Sequence, residues 1–172
     1  MGLFSREERA TGSEIPRYRE DWVFRTTYNY GGKYFAEYNG AYNGTEKFAR
    51  ENRFAFFNSG AIGWMITEEK FMKALTFIDM MKLRASYGEI GDDNVNQRWI
   101  YMTQWAYGGQ SSLDVNHGTS PYNWYRELAV GNPGIKWETA KKFNFGVDLS
   151  VFKGLLAGSV EIFRDRRVDI LV

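Results

Sequence analysis

The sequence predicts an all-β fold built from antiparallel strands in up-and-down order. Strict alternation is the first sign: in residues 141–151 the apolar side chains share one parity, occupied by Phe143, Phe145, Val147, Leu149 and Val151. Successive side chains of a strand point to opposite faces, so this segment is a strand with one apolar face. Composition is the second sign, with 17% aromatic residues, 18 Gly and only 3 Pro among 172 residues. Aromatic residues are enriched in strands.

The same alternation recurs along the chain and predicts about six strands, near residues 22–31, 34–43, 53–66, 81–90, 139–151 and 155–166. Gly31, Gly32 and Lys33 indicate a hairpin turn between the first two. Thr67 followed by two glutamates indicates one short helix within residues 67–79, because a hydroxyl N-cap and acidic residues favour a helix start. Residues 1–20 show no period and are predicted to be irregular. Residues 91–138 are predicted to form one long loop.

The connections between these strands alternate in length. Those at 31–33, 67–79 and 152–154 are short, whereas those at 44–52 and 91–138 are longer. In a meander, alternate connections lie at opposite ends of the sheet, and short turns at one end with long loops at the other are typical of outer-membrane barrels. We therefore expect a partial transmembrane β-barrel, with the helix in a periplasmic turn and the long loop outside. A mean hydropathy of −0.48 is compatible with this, because lipid-facing and lumen-facing residues alternate.

The two parities of each strand predict two environments. We expect a lipid-facing set of apolar side chains: Tyr34, Tyr38, Leu83, Phe143, Phe145, Val147, Leu149, Val160 and Ile162. We expect a lumen-facing set of charged side chains on the opposite parity: Arg25, Glu37, Lys82, Arg84, Lys142, Asp148 and Glu161. An alternative role for the charged set is simple solvation and cross-strand pairing, which contributes about 0.2–1 kcal/mol for each pair.

The predicted long loop carries candidate ligand-binding residues, which are the aromatic side chains Trp99, Tyr101, Trp105, Tyr107, Tyr122, Trp124 and Tyr125. They are suited to stacking on sugar rings or to docking a partner protein. The alternative is that they form a small core within the loop itself.

No catalytic or metal-binding residues are predicted. Glu89, Asp92, Asp93 and Asn94 do not follow the calcium-loop spacing and indicate a tight turn instead. His117 is the one histidine, and the chain has no cysteine. No pair of carboxylates is singled out for glycoside hydrolysis. We expect no enzyme activity and no cofactor, and the net charge of +1 gives no reason to expect a nucleic acid partner.

Several motifs, in order, resemble SusC/RagA-like TonB-dependent outer-membrane receptors. Residues 82–94 (KLRASYGEIGDDN) are similar to their "LKLRASYGxxGNDN" segment. Residues 132–139 (NPGIKWET) are similar to "NPxLKWE", and the alternating strand that follows in that family is found here at 143–148. Residues 63–64 and 68–72 resemble "GWxxSEExFM", and residues 42–48 resemble "DGSSKF". The resemblance covers about residues 22–170.

The resemblance implies a barrel of about 22 strands closed by an N-terminal plug. It implies import of oligosaccharides, peptides or other large nutrients across the cell outer membrane, driven by TonB through the plug. A SusD-like surface lipoprotein and outer-membrane lipid are the implied partners. Residues 1–12 (MGLFSREERATG) lack the pattern of a secretory signal peptide, and no plug is recognised. We therefore expect residues 1–172 to be a piece of the C-terminal half of such a barrel.

The alternating strands leave one other fold and function open. A soluble β-sandwich carbohydrate-binding module also has strands with one apolar face, which a second sheet then covers. The barrel and the sandwich interpretations differ in what lies against the apolar face, which is lipid in a barrel and a second sheet in a sandwich.

Overall fold

The computed structural model describes residues 1–13, 15–95, 98–110 and 123–170, most of which lie in strands. The strands are β1 (Gly2–Arg9), β2 (Arg17–Tyr30), β3 (Tyr34–Thr45), β4 (Phe54–Met65), β5 (Ile78–Asp92), β6 (Gln104–Gln110), β7 (Asn123–Ala129), β8 (Glu138–Val151) and β9 (Leu156–Val168). Two 3₁₀ helices, Ile66–Glu68 and Met72–Ala74, lie between β4 and β5. No helix in the described part of the chain is long and apolar enough to span a bilayer.

Seven strands form one antiparallel sheet in the order β1-β2-β3-β4-β5-β8-β9, and β6 and β7 form a separate hairpin. Because neighbouring strands are consecutive in the chain apart from that hairpin, the connections alternate between the two ends of the sheet. The turn end carries residues 31–33, 66–77 and 152–155, and the loop end carries residues 10–16, 46–53 and 93–137. The sheet does not close on itself, and its outer strands are β1 and β9.

The predicted fold class is confirmed, since the chain is an antiparallel, up-and-down, open piece of a barrel wall. The six predicted strand segments correspond to β2, β3, β4, β5, β8 and β9, with several ends extended. In β5 the pairing with β8 continues to Asp92 opposite Glu138, beyond the predicted end near residue 90.

Two predictions of irregular structure were wrong. Residues 1–20 are not irregular, because β1 pairs with β2 from Gly2 opposite Phe24 to Arg9 opposite Arg17. The segment 91–138 is not one structureless loop, because β6 and β7 pair within it. Both were missed because charges fall on both faces of β1, and because bulges beside Gln104 and Gly109 interrupt the alternation of β6.

The predicted short helix is also wrong. Glu69 has an extended backbone (φ −77°, ψ 147°), which ends the first 3₁₀ helix after one turn. Met65, not Thr67, occupies the N-cap position, and its side chain makes no capping hydrogen bond. The side chain of Glu69 is instead bound by β3 and β4, so tertiary contacts override the local helix signal.

One small hydrophobic cluster is buried at the loop end of the sheet. Phe48 from the β3–β4 connection packs with Phe57 of β4 and with Trp137, which immediately precedes β8. The ring centroids of Phe48 and Phe57 lie 5.6 Å and 5.5 Å from that of Trp137. The Trp137 indole Nε1 donates a hydrogen bond to the Arg53 carbonyl oxygen at 3.1 Å. The cluster therefore fastens two connections to one face of the sheet.

Among the described residues, no second sheet covers the large apolar face, because the remaining strands form only the β6–β7 hairpin. Its apolar side chains are exposed along the whole sheet, for example Ile62 of β4 and Val160 and Ile162 of β9. A β-sandwich requires the opposite arrangement, in which a second sheet packs against this face. The architecture therefore contradicts the sandwich alternative.

Replacing Phe48 by Ala is expected to destabilise the loop end of the sheet. Phe48 is fully buried, and truncation of a buried Phe costs about 3–5 kcal/mol. Hydrogen exchange of the backbone amides at residues 46–53 should accelerate in the folded protein. Phe71→Ala is the matched control, because Phe71 is 63% exposed. Equal exchange in the two variants would contradict the structural role given to Phe48.

Candidate functional site

The register of the sheet sorts the side chains onto two faces. Residues that are paired directly across two strands lie on the same face of the sheet. The pairs Met65–Lys82, Lys82–Asp148 and Asp148–Ser159 therefore define one polar face on β4, β5, β8 and β9. By the same pairings, this polar face holds all seven charged residues predicted to share one side: Arg25, Glu37, Lys82, Arg84, Lys142, Asp148 and Glu161.

The opposite, apolar face holds all nine residues predicted to share it: Tyr34, Tyr38, Leu83, Phe143, Phe145, Val147, Leu149, Val160 and Ile162. Tyr30, Tyr34 and Trp64 form a row of rings near the turn end, with neighbouring centroids 6.4 Å apart. Phe4 and Trp22 lie towards the loop end, with centroids 4.3 Å apart. Between these two groups the face carries both aliphatic and aromatic side chains, for example Ile62, Val160 and Phe145.

The polar face is a series of cross-strand ion pairs. Arg25 Nη2 of β2 lies 2.7 Å from Glu37 Oε2 of β3, and Asn39 Nδ2 donates to the other oxygen of Glu37 at 2.9 Å. Lys142 Nζ of β8 lies 3.4 Å from Asp165 Oδ2 of β9. Lys82 Nζ lies 5.2 Å from the centroid of the Phe35 ring, a cation–π contact. The charges on this face are therefore largely balanced within it.

Arg84 is the centre of this series. Its Nε donates to Asp148 Oδ2 at 3.2 Å, and its Nη2 donates to both Asp148 and Glu161. The Arg84 side chain crosses directly over Gly146, where an added Cβ would lie 3.0 Å from Nε. The glycine thus lets one guanidinium on β5 bind carboxylates from β8 and β9.

A second polar cluster joins the connections at the loop end. Arg98 Nη2 donates to the carbonyl oxygen of Ile15 at 2.9 Å and to Glu46 Oε2 at 3.2 Å. Both side chains of the Arg98–Glu46 pair are largely buried. Three separate connections therefore meet at Arg98. Sequence analysis missed this residue, because a single arginine in an aperiodic segment carries no signal of its distant partners.

The aromatic residues predicted to bind a ligand do not form one surface. Trp105, Tyr107 and Tyr125 share one face of the β6–β7 hairpin and are each 60–62% exposed. Trp124 lies on the other face, with its ring over Gly108. Trp99 and Tyr101 are half-buried, and the Trp99 ring lies 4.5 Å from the Arg98 guanidinium carbon. Tyr122 and His117 lie outside the described residues.

The acidic segment after β5 is bound to neighbouring connections. The tight turn predicted at residues 91–94 is not formed as such, because Gly91 and Asp92 continue the pairing of β5 with β8; only the Asn94 N–H turns back, donating to Asp92 Oδ1 at 2.9 Å. Asp93 faces two cations, with Lys47 Nζ and Arg19 Nη1 each 3.6 Å from one of its carboxylate oxygens. Glu89 accepts a hydrogen bond from Tyr87 and pairs with Lys141.

At the turn end, Glu69 connects the β2–β3 turn with β3 and β4. Its carboxylate accepts hydrogen bonds from the Tyr34 hydroxyl at 2.6 Å, Trp64 Nε1 at 3.3 Å and Lys33 Nζ at 3.3 Å. These hydrogen bonds, that of Tyr34 first, hold the pKa of Glu69 below its ordinary value. The ionised carboxylate therefore holds this end of the sheet together at neutral pH.

Comparison with known proteins gives related sequences and a related fold. No protein-family model matches the chain. The chain is 31% identical to "TonB-dependent receptor P3" of Formosa agariphila over 147 residues, which are 86% of this chain. It is 26% identical to "TonB-dependent receptor SusC" of Bacteroides thetaiotaomicron, also over 86% of this chain. The chain spans only 14% of the length of either relative.

Among solved structures, the fold matches proteins described as peptide transporters. One chain of the "RagAB peptide transporter" superposes with a TM-score of 0.73 at 20% identity, covering 95% of this chain and 18% of that one. A chain of the same importer in its "closed-closed" state superposes with a TM-score of 0.71 over 89% of this chain. These superpositions support the fold independently of the sequence similarity.

Acidification is expected to loosen the turn end through Glu69. The pKa of Glu69 is lower in the folded protein than in the unfolded chain, where it is about 4.3. The stability that the ionised Glu69 carboxylate contributes is therefore present above the unfolded-state pKa and is lost as the pH falls through the folded-state pKa. The protection factors of the amides at residues 31–33, which correct for the slower intrinsic exchange at low pH, should therefore fall below about pH 4. Glu69→Gln should show faster exchange at neutral pH and no such step.

The control is Glu68→Gln, because the Glu68 side chain is exposed and makes none of these hydrogen bonds. It should keep the wild-type pH profile. A wild-type profile in Glu69→Gln would show that the carboxylate charge does not hold the turn.

Proposed function

We propose that this chain, whose sequence and fold are those of SusC/RagA-like TonB-dependent outer-membrane receptors, forms part of the barrel wall of a nutrient importer. In this proposal the apolar face contacts outer-membrane lipid and the polar face lines the water-filled interior. The turn end lies in the periplasm and the loop end lies outside the cell, as expected for barrels with short turns on one side.

The observation that carries the proposal is the separation of the two faces of one uncovered sheet. The polar face holds a series of paired charges, whereas the other face exposes aliphatic and aromatic side chains, with rows of aromatic rings towards both ends. In water, such a continuous apolar surface is costly and marks a contact with lipid or protein. Membrane barrels have this pattern, with an apolar band flanked by aromatic girdles and a polar interior.

The paired charges suit a transport lumen better than a binding site for a single ion. Arg84, Asp148 and Glu161 neutralise one another, so a polar ligand or a plug would meet a hydrogen-bonding wall with little net charge. Such a wall does not hold large solutes by strong charge attraction. We place the plug, and through it TonB, against this face.

The loop end supplies candidate contacts for the cargo and for a lid. Trp105, Tyr107 and Tyr125 present three exposed rings on one face of the hairpin, suited to stacking on sugars or on peptide side chains. The similarity to the RagAB peptide transporter supports a peptide as cargo. The resemblance of the motifs to SusC/RagA-like receptors implies an oligosaccharide as the other candidate cargo and a SusD-like lipoprotein as partner. Arg98 and the Phe48–Phe57–Trp137 cluster hold the base of these connections.

Site-directed spin labels are expected to report opposite environments at two residues of β9 that lie on opposite faces of the sheet. Residues 1–172 contain no cysteine, so single cysteines introduced here give unique labels in the intact receptor once any cysteine outside these residues has been replaced. In liposomes, a label at Ile162→Cys should be relaxed mainly by oxygen, because it faces lipid. A label at Ser159→Cys, which lies on the polar face opposite Asp148, should be relaxed mainly by a water-soluble nickel complex. The reverse pattern at both sites would contradict the proposed orientation.

Replacing Trp105, Tyr107 and Tyr125 together by Ala is expected to reduce uptake of the nutrient. Stacked aromatic contacts contribute about 0.5–1.5 kcal/mol each, so the triple variant should raise the half-saturating concentration roughly tenfold or more. Uptake by cells expressing the intact receptor is the measurement. Tyr30→Ala is a control at the turn end, since Tyr30 is also 62% exposed. If the triple variant imported nutrient like wild type, the hairpin would have no role in cargo capture.

A further inference from the structure

We propose that the loop end of β8 and β9 carries, on the apolar face, a binding site for a phosphate-bearing lipid of the outer leaflet. The site combines a basic cluster, formed by Lys141, Arg164 and Arg166, with an apolar groove that begins beside it. The inference rests on the proposed function in one respect, which is that the apolar face meets the membrane.

The three cations share the apolar face and lie on the loop-end side of Val160 and Ile162. Arg166 is directly opposite Lys141, and Arg164 is directly opposite Phe143. Along β9 the residues on this face are, in order, Val160, Ile162, Arg164 and Arg166. The side chains therefore change from apolar to positively charged between two successive positions of the face. Adjacent residues of one face are about 7 Å apart on a strand, a spacing that allows neighbouring guanidinium groups to bind one phosphate together.

This cluster is not neutralised by the protein. Glu89 is the acid beside it, with Oε1 3.3 Å from Lys141 Nζ, and it also accepts hydrogen bonds from Tyr87 and Asn58. Among the described residues, Arg164 and Arg166 have no ion pair and no hydrogen-bond partner, and both are exposed. Like charges directly opposite each other, such as Lys141 and Arg166, destabilise a sheet. An anion bound between them removes that repulsion.

An apolar groove lies next to the cluster, on the other side of Phe143 from Arg164. It has a volume of about 370 Å³ and is lined on its loop-end side by Tyr87 and Phe143. Its floor is formed by small side chains and glycine, including Ala36, Gly60 and Ala85, and Ile62 and Tyr38 form walls. Phe143 joins the two parts, because it lines the groove and is paired with Arg164. An acyl chain in the groove would place its headgroup phosphate at the arginines.

Native mass spectrometry of the detergent-purified, full-length receptor tests the proposal. The probes are monophosphoryl lipid A, the same glycolipid without phosphate, and inorganic phosphate alone. The wild-type protein should retain the phosphorylated lipid and bind the phosphate-free lipid clearly more weakly. Each arginine near an anionic lipid contributes about a fivefold factor in affinity, so Arg164→Ser/Arg166→Ser should bind the phosphorylated lipid about 25-fold more weakly.

The matched control is Lys142→Ser/Arg167→Ser, which removes two positive charges from the same two strands but on the polar face. It should bind the phosphorylated lipid as wild type does. Equal binding by wild type and the Arg164/Arg166 variant would overturn the proposal, as would equal retention of the two lipids by wild type. Inorganic phosphate binding as tightly as the lipid would show a free-anion site and also overturn it.

The lipid-binding experiment can fail independently of the spin-label experiment that tests the proposed function. The spin labels at 159 and 162 report which face meets lipid whether or not a lipid is retained by the arginines. A lipid-facing label at 162 with no preference for phosphate would leave the barrel orientation intact and remove only the lipid site.

Discussion

The ladder of antiparallel pairings across the seven-stranded sheet is the constraint on which the rest of the structure depends. Side chains alternate with a period of two, so a slip of one residue in any strand would exchange its two faces. The register prevents this: Lys82, Asp148 and Ser159 stay aligned on one face, while Leu83, Val147 and Val160 stay aligned on the other. The polar wall and the apolar wall are thus two consequences of one set of backbone hydrogen bonds.

Side-chain contacts on the polar face refine this arrangement and contribute little to the total stability. Exposed ion pairs such as Arg25–Glu37 contribute about 0.2–1 kcal/mol each. Their effect is positional, because Arg84 can reach two carboxylates only if β5, β8 and β9 keep their registers and if Gly146 leaves room. In the importer that we propose, a wall of mutually neutralised charges would attract a large polar solute only weakly and so let it pass.

The loop end shows how long connections are ordered on an open sheet. Hydrophobic burial by Phe48, Phe57 and Trp137 is concentrated there, while most other large apolar side chains of the sheet are exposed. Arg98 adds hydrogen bonds to Ile15 in the β1–β2 connection and to Glu46 in the same β3–β4 connection as Phe48. The hairpin that carries Trp105 and Tyr107 can therefore project its rings outward from a fixed base. A stable base with exposed tips is the usual construction of binding loops.

The sequence by itself determined the all-β class, the strands β2–β5, β8 and β9, and the division of sixteen named residues between two faces. These follow from period-two alternation, which is a local property that a single strand already displays. It did not reveal β1 or the β6–β7 hairpin, where charges on both faces or bulges obscure the period. It also placed a helix at Thr67, where local capping chemistry was outweighed by the contacts of Glu69 with Tyr34 and Trp64.

Only the tertiary structure decided which distant residues meet. The contacts of Arg98 with Ile15 and Glu46, and of Phe48 with Trp137, join segments far apart in the chain, as does the groove that is lined by residues of β2, β3, β4, β5 and β8. No local pattern records such pairings, because they depend on the order and register of the strands across the whole sheet. Alternation determines which face each side chain occupies, and the assembled sheet determines its neighbours on that face.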